Sequence, residues 1–306
     1  MKKLHLFAMG AIAVAFSATG CKMSSQKPAS DSDSVAVDTT CVDSVKPLTL
    51  TVDNIGYHKK AGSGFECTLT VDYPRGDDSL AAGVRQFIAS ELAAHYIPRD
   101  MIDDKKELRK YPLYKDSNDD GKKIVDFYGA GTTRYLTESW KEMAETFDSN
   151  DEIPTLYQQL KIKKSAETTS YVTYSITDER NMGGAHGSYN FYDVNISKLT
   201  FKPVNMLDSK RLRAMQPMLR KGALSYLREC GETSAVDSTL NSYLILPEDG
   251  LIPLPAHAPW LEKDTLKFVY QQYEIAPYAV GPVSFNIAVK DISKFLSKDG
   301  KALLGK

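Results

Sequence analysis

Alternation of apolar and polar residues predicts strands along much of the chain. The runs Leu48–Tyr57 and Phe65–Tyr73 both alternate, and Gly62-Ser63-Gly64 lies between them. Pro74 ends the second run. Two alternating runs joined by a short glycine-containing segment are typical of a β-hairpin. The sequence therefore predicts a hairpin at the start of the folded region.

Helical spacing of apolar residues replaces this alternation after the hairpin. It predicts a helix from about Ser79 to Tyr96, one face of which packs on the sheet. The polar segment Pro98–Lys123 is expected to be irregular. A second helix is predicted over Tyr135–Phe147, and a third over Asp208–Arg228, interrupted or restarted at Pro217.

Strand patterns return in the second half of the chain. They cover Ile153–Lys164, Thr169–Thr177, Ser188–Ile196, Leu266–Tyr273 and Val283–Val289. The first three have short connections, which predicts an antiparallel meander. Strand runs mixed with helices, without regular βαβ alternation, indicate the α+β class. We therefore expect antiparallel sheets with a few packed helices.

The N-terminus has the features of a targeting segment. Lys2 and Lys3 precede a short apolar run, Leu4–Ala18, and Cys21 follows small residues at its end. The run is too short for a comfortable transmembrane helix. This order resembles a lipoprotein signal, in which cleavage occurs before Cys21 and the thiol carries lipid. The alternative is an ordinary secretory peptide cut after Gly20.

These patterns divide the chain into four regions. Residues 1–20 are the predicted signal peptide, and residues 21–46 are a lipidated flexible tether, rich in Ser, Lys, Asp and Thr. Residues 47–180 form an N-terminal α+β region, and residues 181–300 form a C-terminal domain. The expected location is the cell envelope, anchored by lipid to the extracytoplasmic side of a bacterial membrane.

Charge and cysteine content narrow the partners further. Removal of residues 1–20 takes two lysines from the 38 basic residues, which leaves 36 basic and 39 acidic. Without a basic stripe, nucleic acid is not an expected partner. An extracytoplasmic setting permits disulfides, and Cys67 with Cys230 is the preferred pair. The alternative is that Cys41, Cys67 and Cys230 all remain unpaired.

A glycine-rich segment surrounds one histidine in the middle of the chain. Residues Asn181–Asn190 place Gly183, Gly184 and Gly187 around His186. Three glycines in five residues indicate positive φ angles or a closely packed backbone. His186 either contacts a ligand or bonds a backbone carbonyl and holds the turn. We prefer the second interpretation, because no cysteine or second histidine lies at ligand spacing.

A second signature follows at Tyr270–Pro282, where Pro277 and Gly281 are turn signals that orient Tyr278. Together the two stretches resemble a family of extracytoplasmic bacterial domains of largely unknown function. That family includes the ectodomain of lysozyme-sensing, RsiV-like anti-sigma factors and a non-catalytic region of some peptidoglycan deacetylases. The resemblance covers roughly Val45–Leu296 and implies a binding domain for lysozyme or cell-wall glycan.

Aromatic residues near this signature are candidate ligand contacts. Tyr273, Tyr278 and Trp260 offer large rigid rings with polar tips, which are favoured at binding surfaces. Leu251–Trp260 contains three prolines and is expected to be an extended surface loop that carries Trp260 beside Tyr278. The alternative is that these rings are half-buried strand residues.

The sequence gives little support for catalysis or metal binding. Asp116–Gly121 matches the opening of a calcium loop, but Phe127 stands where a bidentate glutamate is usual, so a solvated acidic turn is preferred. The deacetylase-like Thr146-Phe147-Asp148 lacks a following His-x-x-x-His pair. We therefore expect no catalytic residue, no metal and no cofactor. The alternative function is a peptidoglycan-modifying hydrolase that uses His186 with Asp193 or Glu274.

Overall fold

The computed structural model describes residues 48–62, 64–99, 102–148 and 152–305. All of them belong to one structural unit, Lys46–Lys306. The predicted signal peptide, the tether, Cys21 and Cys41 lie outside the described residues. Among the described helices, none has the length and apolar character needed to cross a membrane.

The first part of the chain builds a five-stranded sheet with strands in sequence order. The strands are β1 (Val52–Ala61), β2 (Phe65–Pro74), β3 (Leu156–Glu167), β4 (Tyr171–Asn181) and β5 (Ser188–Ser197). The hairpin β1–β2 and the meander β3–β4–β5 are antiparallel, as predicted. The purely antiparallel expectation is wrong at one place, because β2 pairs with β3 in parallel. The long helical connection between them permits this pairing.

Helices α1 (Ser79–Ala94), α2 (Lys105–Leu108) and α3 (Gly121–Ala144) form that connection, and α1 and α3 contact the sheet. Helix α1 agrees with its prediction and is capped by Asp78. Helix α3 begins 14 residues before the predicted start at Tyr135. Its glycines hid it from the pattern, because glycine disfavours helix. They allow close packing: a Cβ at Gly129 would lie 2.4 Å from the Tyr57 ring.

The later part of the chain builds a three-stranded antiparallel sheet covered by a helix. The strands are β6 (Trp260–Glu262), β7 (Thr265–Tyr270) and β8 (Val283–Ala288), in that order. Helix α4 (Leu212–Glu229) contacts β8 and runs through Pro217 without the predicted interruption. A short 3-10 turn, Ser209–Arg211, precedes it. The short helices α5 (Leu240–Tyr243), α6 (Val289–Ile292) and α7 (Lys298–Leu303) complete the fold.

Two hydrophobic clusters fill the described part of the fold. The first lies between the five-stranded sheet and its helices and extends to Ile196, with Trp260 and Val269 joining from the second sheet. The second begins at Val204 and lies between α4 and the three-stranded sheet. The five-stranded sheet thus continues beyond the predicted regional boundary at residue 181, because the glycine-rich segment links two of its own strands.

The preferred disulfide between Cys67 and Cys230 is not formed, and both are free thiols. Cys67 lies on the core face of β2, whereas Cys230 is exposed after the end of α4. Burial raises the pKa of the Cys67 thiol to about 12. The spacing of Cys67 and Cys230 in the sequence does not predict that the two thiols lie apart. Their separation depends on how the elements that carry them pack in the fold.

Candidate functional site

The glycine-rich segment forms the connection between β4 and β5. Gly183 has a φ of +87°, and its N–H donates to the Asn181 side-chain oxygen over 3.1 Å. A Cβ at Gly187 would lie 2.8 Å from the Arg180 carbonyl oxygen. One glycine therefore supplies the left-handed conformation and another permits close approach of the backbone. Gly184 has neither constraint, since its nearest contact would be an ordinary 3.8 Å.

The two signature stretches meet at His186. Its ring stacks on Tyr278 with 3.7 Å between ring centroids and an angle of 20° between ring planes. Its Nε2 lies 3.0 Å from the Tyr273 hydroxyl, and the Tyr278 hydroxyl donates to the Gly187 carbonyl oxygen over 3.1 Å. These rings form what we call the aromatic cluster: His186, Tyr273 and Tyr278.

Tyr273 is an exposed member of the aromatic cluster. It is 56% exposed and has a φ of +67°, an unfavourable conformation for a residue with a bulky side chain. The turn is held by Glu274, whose carboxylate accepts from the Gln271 N–H at 2.8 Å and from the Ala256 N–H at 2.6 Å. Such strained backbone is characteristic of binding sites when the surrounding structure holds it in place.

The predicted turn residues support Tyr278 from the other side. Pro277 precedes the 3-10 turn Tyr278–Val280, and Gly281 ends it with a φ of +75°. The Tyr226 hydroxyl of α4 donates to the Val280 carbonyl oxygen over 2.9 Å. The expected role of Pro277 and Gly281 as structural signature residues is consistent with this local geometry.

Two glutamines that sequence reasoning missed attach the second signature to β5. The Gln271 side chain accepts from the Phe191 N–H at 3.1 Å and donates to the Phe191 carbonyl at 2.9 Å. The Gln272 side chain accepts from the Tyr189 N–H at 3.2 Å. The adjacent glutamines in the sequence could have indicated this role, because an amide side chain can donate and accept hydrogen bonds as the backbone of a neighbouring strand does.

Trp260 does not lie on the exposed surface that was expected to carry it. It is only 4% exposed, because it begins strand β6 and packs into the first hydrophobic cluster. Among the described residues, no aromatic contact joins it to Tyr278; its ring instead lies 5.8 Å from the Lys267 ammonium group. The proline-containing segment before it brings Trp260 back into a sheet, in agreement with the alternative interpretation that this ring is a strand residue.

The two carboxylates considered for a hydrolase make other contacts. Glu274 binds backbone N–H groups, as described above, and Asp193 bonds Ser175 across the sheet. Burial raises the pKa of Asp193 despite that bond. Within the described residues, His186 hydrogen-bonds to Tyr273 and Gly187 and to neither carboxylate. The arrangement presents ring faces rather than an acid–base pair.

The calcium-like segment is an acidic helix cap. Asp120 accepts from the Lys123 N–H over 3.0 Å at the start of α3, and Asp116 pairs with the Lys123 ammonium at 2.5 Å. Its carboxylates are thus used by a local cation and by a backbone N–H group. No group of three or more potential metal-ligating side chains occurs among the described residues.

A buried polar network centred on His95 has no counterpart in the sequence-based predictions. Its Nδ1 lies 2.9 Å from the Asp178 carboxylate and its Nε2 lies 2.8 Å from the Tyr192 hydroxyl. Tyr192 donates to Glu91, so its oxygen can accept from His95 Nε2 while Nδ1 faces the Asp178 carboxylate, an arrangement that favours a protonated ring. Burial lowers the pKa of His95, but hydrogen bonds to Asp178 and Glu91 outweigh it, and the pKa is raised.

The fold and the aromatic cluster define an α+β domain with an exposed patch of stacked rings. Residues 234–290 match the DUF3298 model, which describes a family of unknown function. That segment includes Tyr273, Tyr278 and Trp260 and excludes the glycine-rich segment. No curated protein matches the chain.

Two crystal structures of DUF3298 proteins are similar to this chain. A member from Bacteroides fragilis NCTC 9343 has a TM-score of 0.57 and 19% identity, over 83% of this chain and 96% of that chain. A family protein from Pseudomonas aeruginosa PAO1 has a TM-score of 0.50 and 13% identity, over 83% of this chain and 97% of that chain. At these identities the similarity shows the fold alone.

Proposed function

We propose that this protein is a lipid-anchored extracytoplasmic binding module whose partner-facing surface is the aromatic cluster. One observation carries the proposal: two signatures, separated by some 80 residues in the chain, meet to hold Tyr273 exposed in a strained turn. The hydroxyl groups of Tyr273 and Tyr278 are engaged with His186 and Gly187. The exposed part of the Tyr273 ring therefore remains for a partner.

The partner we propose is a lysozyme-like protein or a peptidoglycan fragment. Support for lysozyme comes from the resemblance to RsiV-like ectodomains, and support for glycan comes from the geometry of the rings. Aromatic rings supply large, rigid contact area at a low cost in conformational entropy. Since the turn is fixed by Glu274 before binding, little ordering is required when a partner arrives.

Titration of Tyr278→Ala against lysozyme and against muropeptides tests this surface. Truncation of a central aromatic contact costs about 2 kcal/mol or more, so affinity should fall by at least about tenfold. The matched control is Tyr243→Ala, another half-buried tyrosine that lies outside the aromatic cluster. Unchanged affinity of folded Tyr278→Ala for a ligand that the parent binds would overturn the assignment.

The same preparations separate binding from hydrolysis. A module of this kind should bind muropeptides or lysozyme and release no reducing sugar from peptidoglycan. Glycan cleavage that disappears in both His186→Ala and Glu274→Gln would favour the hydrolase. Within the described residues, no hydrogen bond joins His186 to a carboxylate, which is why we place the hydrolase second.

Anchoring requires a separate test because Cys21 lies outside the described residues. If Cys21 is lipidated, Cys21→Ala should move the protein from the membrane fraction to the soluble extracytoplasmic fraction. Cys230→Ala, which removes an exposed thiol from the folded part, is the control. Membrane retention of Cys21→Ala would contradict the lipoprotein assignment.

A further inference from the structure

A cavity of about 580 Å³ lies beside β5, between α1 and the segments 200–205 and 256–260. Its walls are mainly apolar and include Phe87, Val194, Phe201, Val204 and Trp260. Volumes of this size and walls of this composition are typical of small-molecule sites. The cavity does not include the aromatic cluster, so an inference from it is independent of the proposed function.

Strand β5 is an edge strand of the five-stranded sheet. Along its outer edge, side chains and loop residues rather than another strand hydrogen-bond to its backbone. The backbone N–H and C=O of Phe191 both hydrogen-bond to the side-chain amide of Gln271 at this edge. Farther along, the Asn195 carbonyl accepts from the Val204 N–H at 2.9 Å, and the Ser197 N–H donates to Lys202 at 3.0 Å. Odd-numbered residues of β5 thus point their backbone groups away from β4.

Asp193 lies between Phe191 and Asn195, whose outward carbonyl groups are hydrogen-bonded, and it lines the cavity. By the same alternation its N–H and C=O point outward from the sheet. Within the described residues they have no hydrogen-bond partner at that edge. An open edge residue offers one donor and one acceptor to an extended amide, which is the basis of recognition by strand addition.

Phe201 forms part of the wall in a strained conformation. Its φ is +58°, and it packs on α1 where a Cβ at Gly83 would lie 2.3 Å from the Phe201 carbonyl oxygen. Only glycine permits this approach. A bulky residue held at positive φ is unfavourable, and residues in such conformations cluster at ligand sites.

His257 supplies a polar group at the wall. Its ring stacks on Tyr192 with 3.5 Å between centroids and 9° between planes, and its nitrogens hydrogen-bond to no other described residue. Burial lowers the pKa of His257, which keeps the ring neutral with one donor and one acceptor. The cavity therefore combines apolar walls with a small number of unused polar groups.

We propose that this cavity binds a small ligand that carries a secondary amide beside an apolar group, with the amide paired to the backbone of Asp193. The apolar group lies among Phe87, Phe201 and Trp260. A short peptide and an N-acetylated sugar share this chemistry. Neither source requires the aromatic cluster, so the site is tested separately from the partner-facing surface.

Amide-resolved NMR on the full chain provides the test. The Asp193 N–H should exchange faster with solvent than those of Tyr192 and Val194, which pair with β4. N-acetyl-L-phenylalanine methylamide should shift the Asp193 amide with a dissociation constant on the order of 0.1–1 mM for a ligand of this size. Chitobiose, titrated in parallel, distinguishes the sugar source from the peptide source.

The contribution of the amide is isolated by methylating the phenylalanine nitrogen of the probe. Loss of that donor leaves the Asp193 carbonyl unpaired and should weaken binding by at least about tenfold. Equal affinity of the two peptides overturns the proposal. So does a free protein in which Asp193 is as protected as its neighbours, or the absence of Asp193 shifts with both probes at 10 mM, which is roughly ten times the weakest dissociation constant expected.

A filling variant checks the location of the bound probe. Ser90 is an exposed residue of α1 that lines the cavity, so Ser90→Trp should abolish binding of the probe. Ala94→Trp places the same ring on the same helix outside the cavity and should bind as the parent does. Binding that survives Ser90→Trp would place the ligand elsewhere and overturn the assignment.

Discussion

The two closest histidine–tyrosine stacks among the described residues lie in opposite environments. On the surface, His186 stacks on Tyr278 at 3.7 Å. In the cavity wall, His257 stacks on Tyr192 at 3.5 Å. In the surface stack, the Tyr278 hydroxyl donates to the backbone carbonyl of Gly187, next to His186. In the buried stack, the Tyr192 hydroxyl hydrogen-bonds to His95 and so belongs to the charged network around it.

The difference shows what each environment requires of the same pair of rings. On the surface, a strained turn, a glycine and hydrogen bonds from the side chains of Glu274, Gln271 and Gln272 to backbone groups hold the aromatic cluster. In the interior, a charge must be balanced by a partner. Asp178 therefore faces both His95 and Arg180, and Glu91 faces Tyr192. The surface stack depends on backbone conformation, whereas in the buried stack the Tyr192 hydroxyl is held by a charged network.

The largest expected effect on stability comes from removal of the buried Asp178 carboxylate, which balances the charge of its neighbours. Asp178→Ala leaves His95 and Arg180 without their shared carboxylate, which costs about 3–5 kcal/mol of unfolding free energy. Urea denaturation measures it. Glu179→Ala, a half-buried neighbour on the opposite face of β4, should change stability by about 0.5 kcal/mol or less. Similar losses in both variants would show that charge balance is not what holds this region.

A smaller effect is expected from the backbone of the surface region. Gly183→Val places a β-branched residue at a φ of +87° with its Cβ 2.9 Å from the Met143 sulfur, which should cost about 1–3 kcal/mol. Gly184→Val is the matched control and should cost much less, because Gly184 has neither a positive φ nor a close contact. Equal costs would remove backbone conformation as the reason for the motif.

The smallest effect is the pH dependence of the buried network. Because the folded pKa of His95 is raised above 6.5, its stabilisation is complete below that pH and is lost as pH rises through the folded pKa. Unfolding free energy should therefore fall between pH 6.5 and pH 9.0, above which the Cys67 thiol of the unfolded chain also ionises. His95→Gln should remove this slope; a parent protein with no slope would contradict the charged state.

Sequence patterns determined the local features of this protein. Period-two alternation predicted the hairpin and the meander, and the glycines around His186 predicted a positive φ that Gly183 adopts. These features depend on residues close together in the chain. The start of α3 was missed for a tertiary reason, since its glycines serve packing against Tyr57 and Tyr96 rather than helix formation.

Only the tertiary structure decided which residues meet. Trp260 entered a sheet, Cys67 and Cys230 remained apart, and Tyr273 reached His186 across 87 positions of sequence. The network of His95, Asp178 and Tyr192 likewise joins a helix to two strands. Contacts at such separations depend on how whole elements pack. Bringing two distant residues together costs chain entropy, and a single contact offsets that cost only when the packing of the surrounding elements already holds both residues in place.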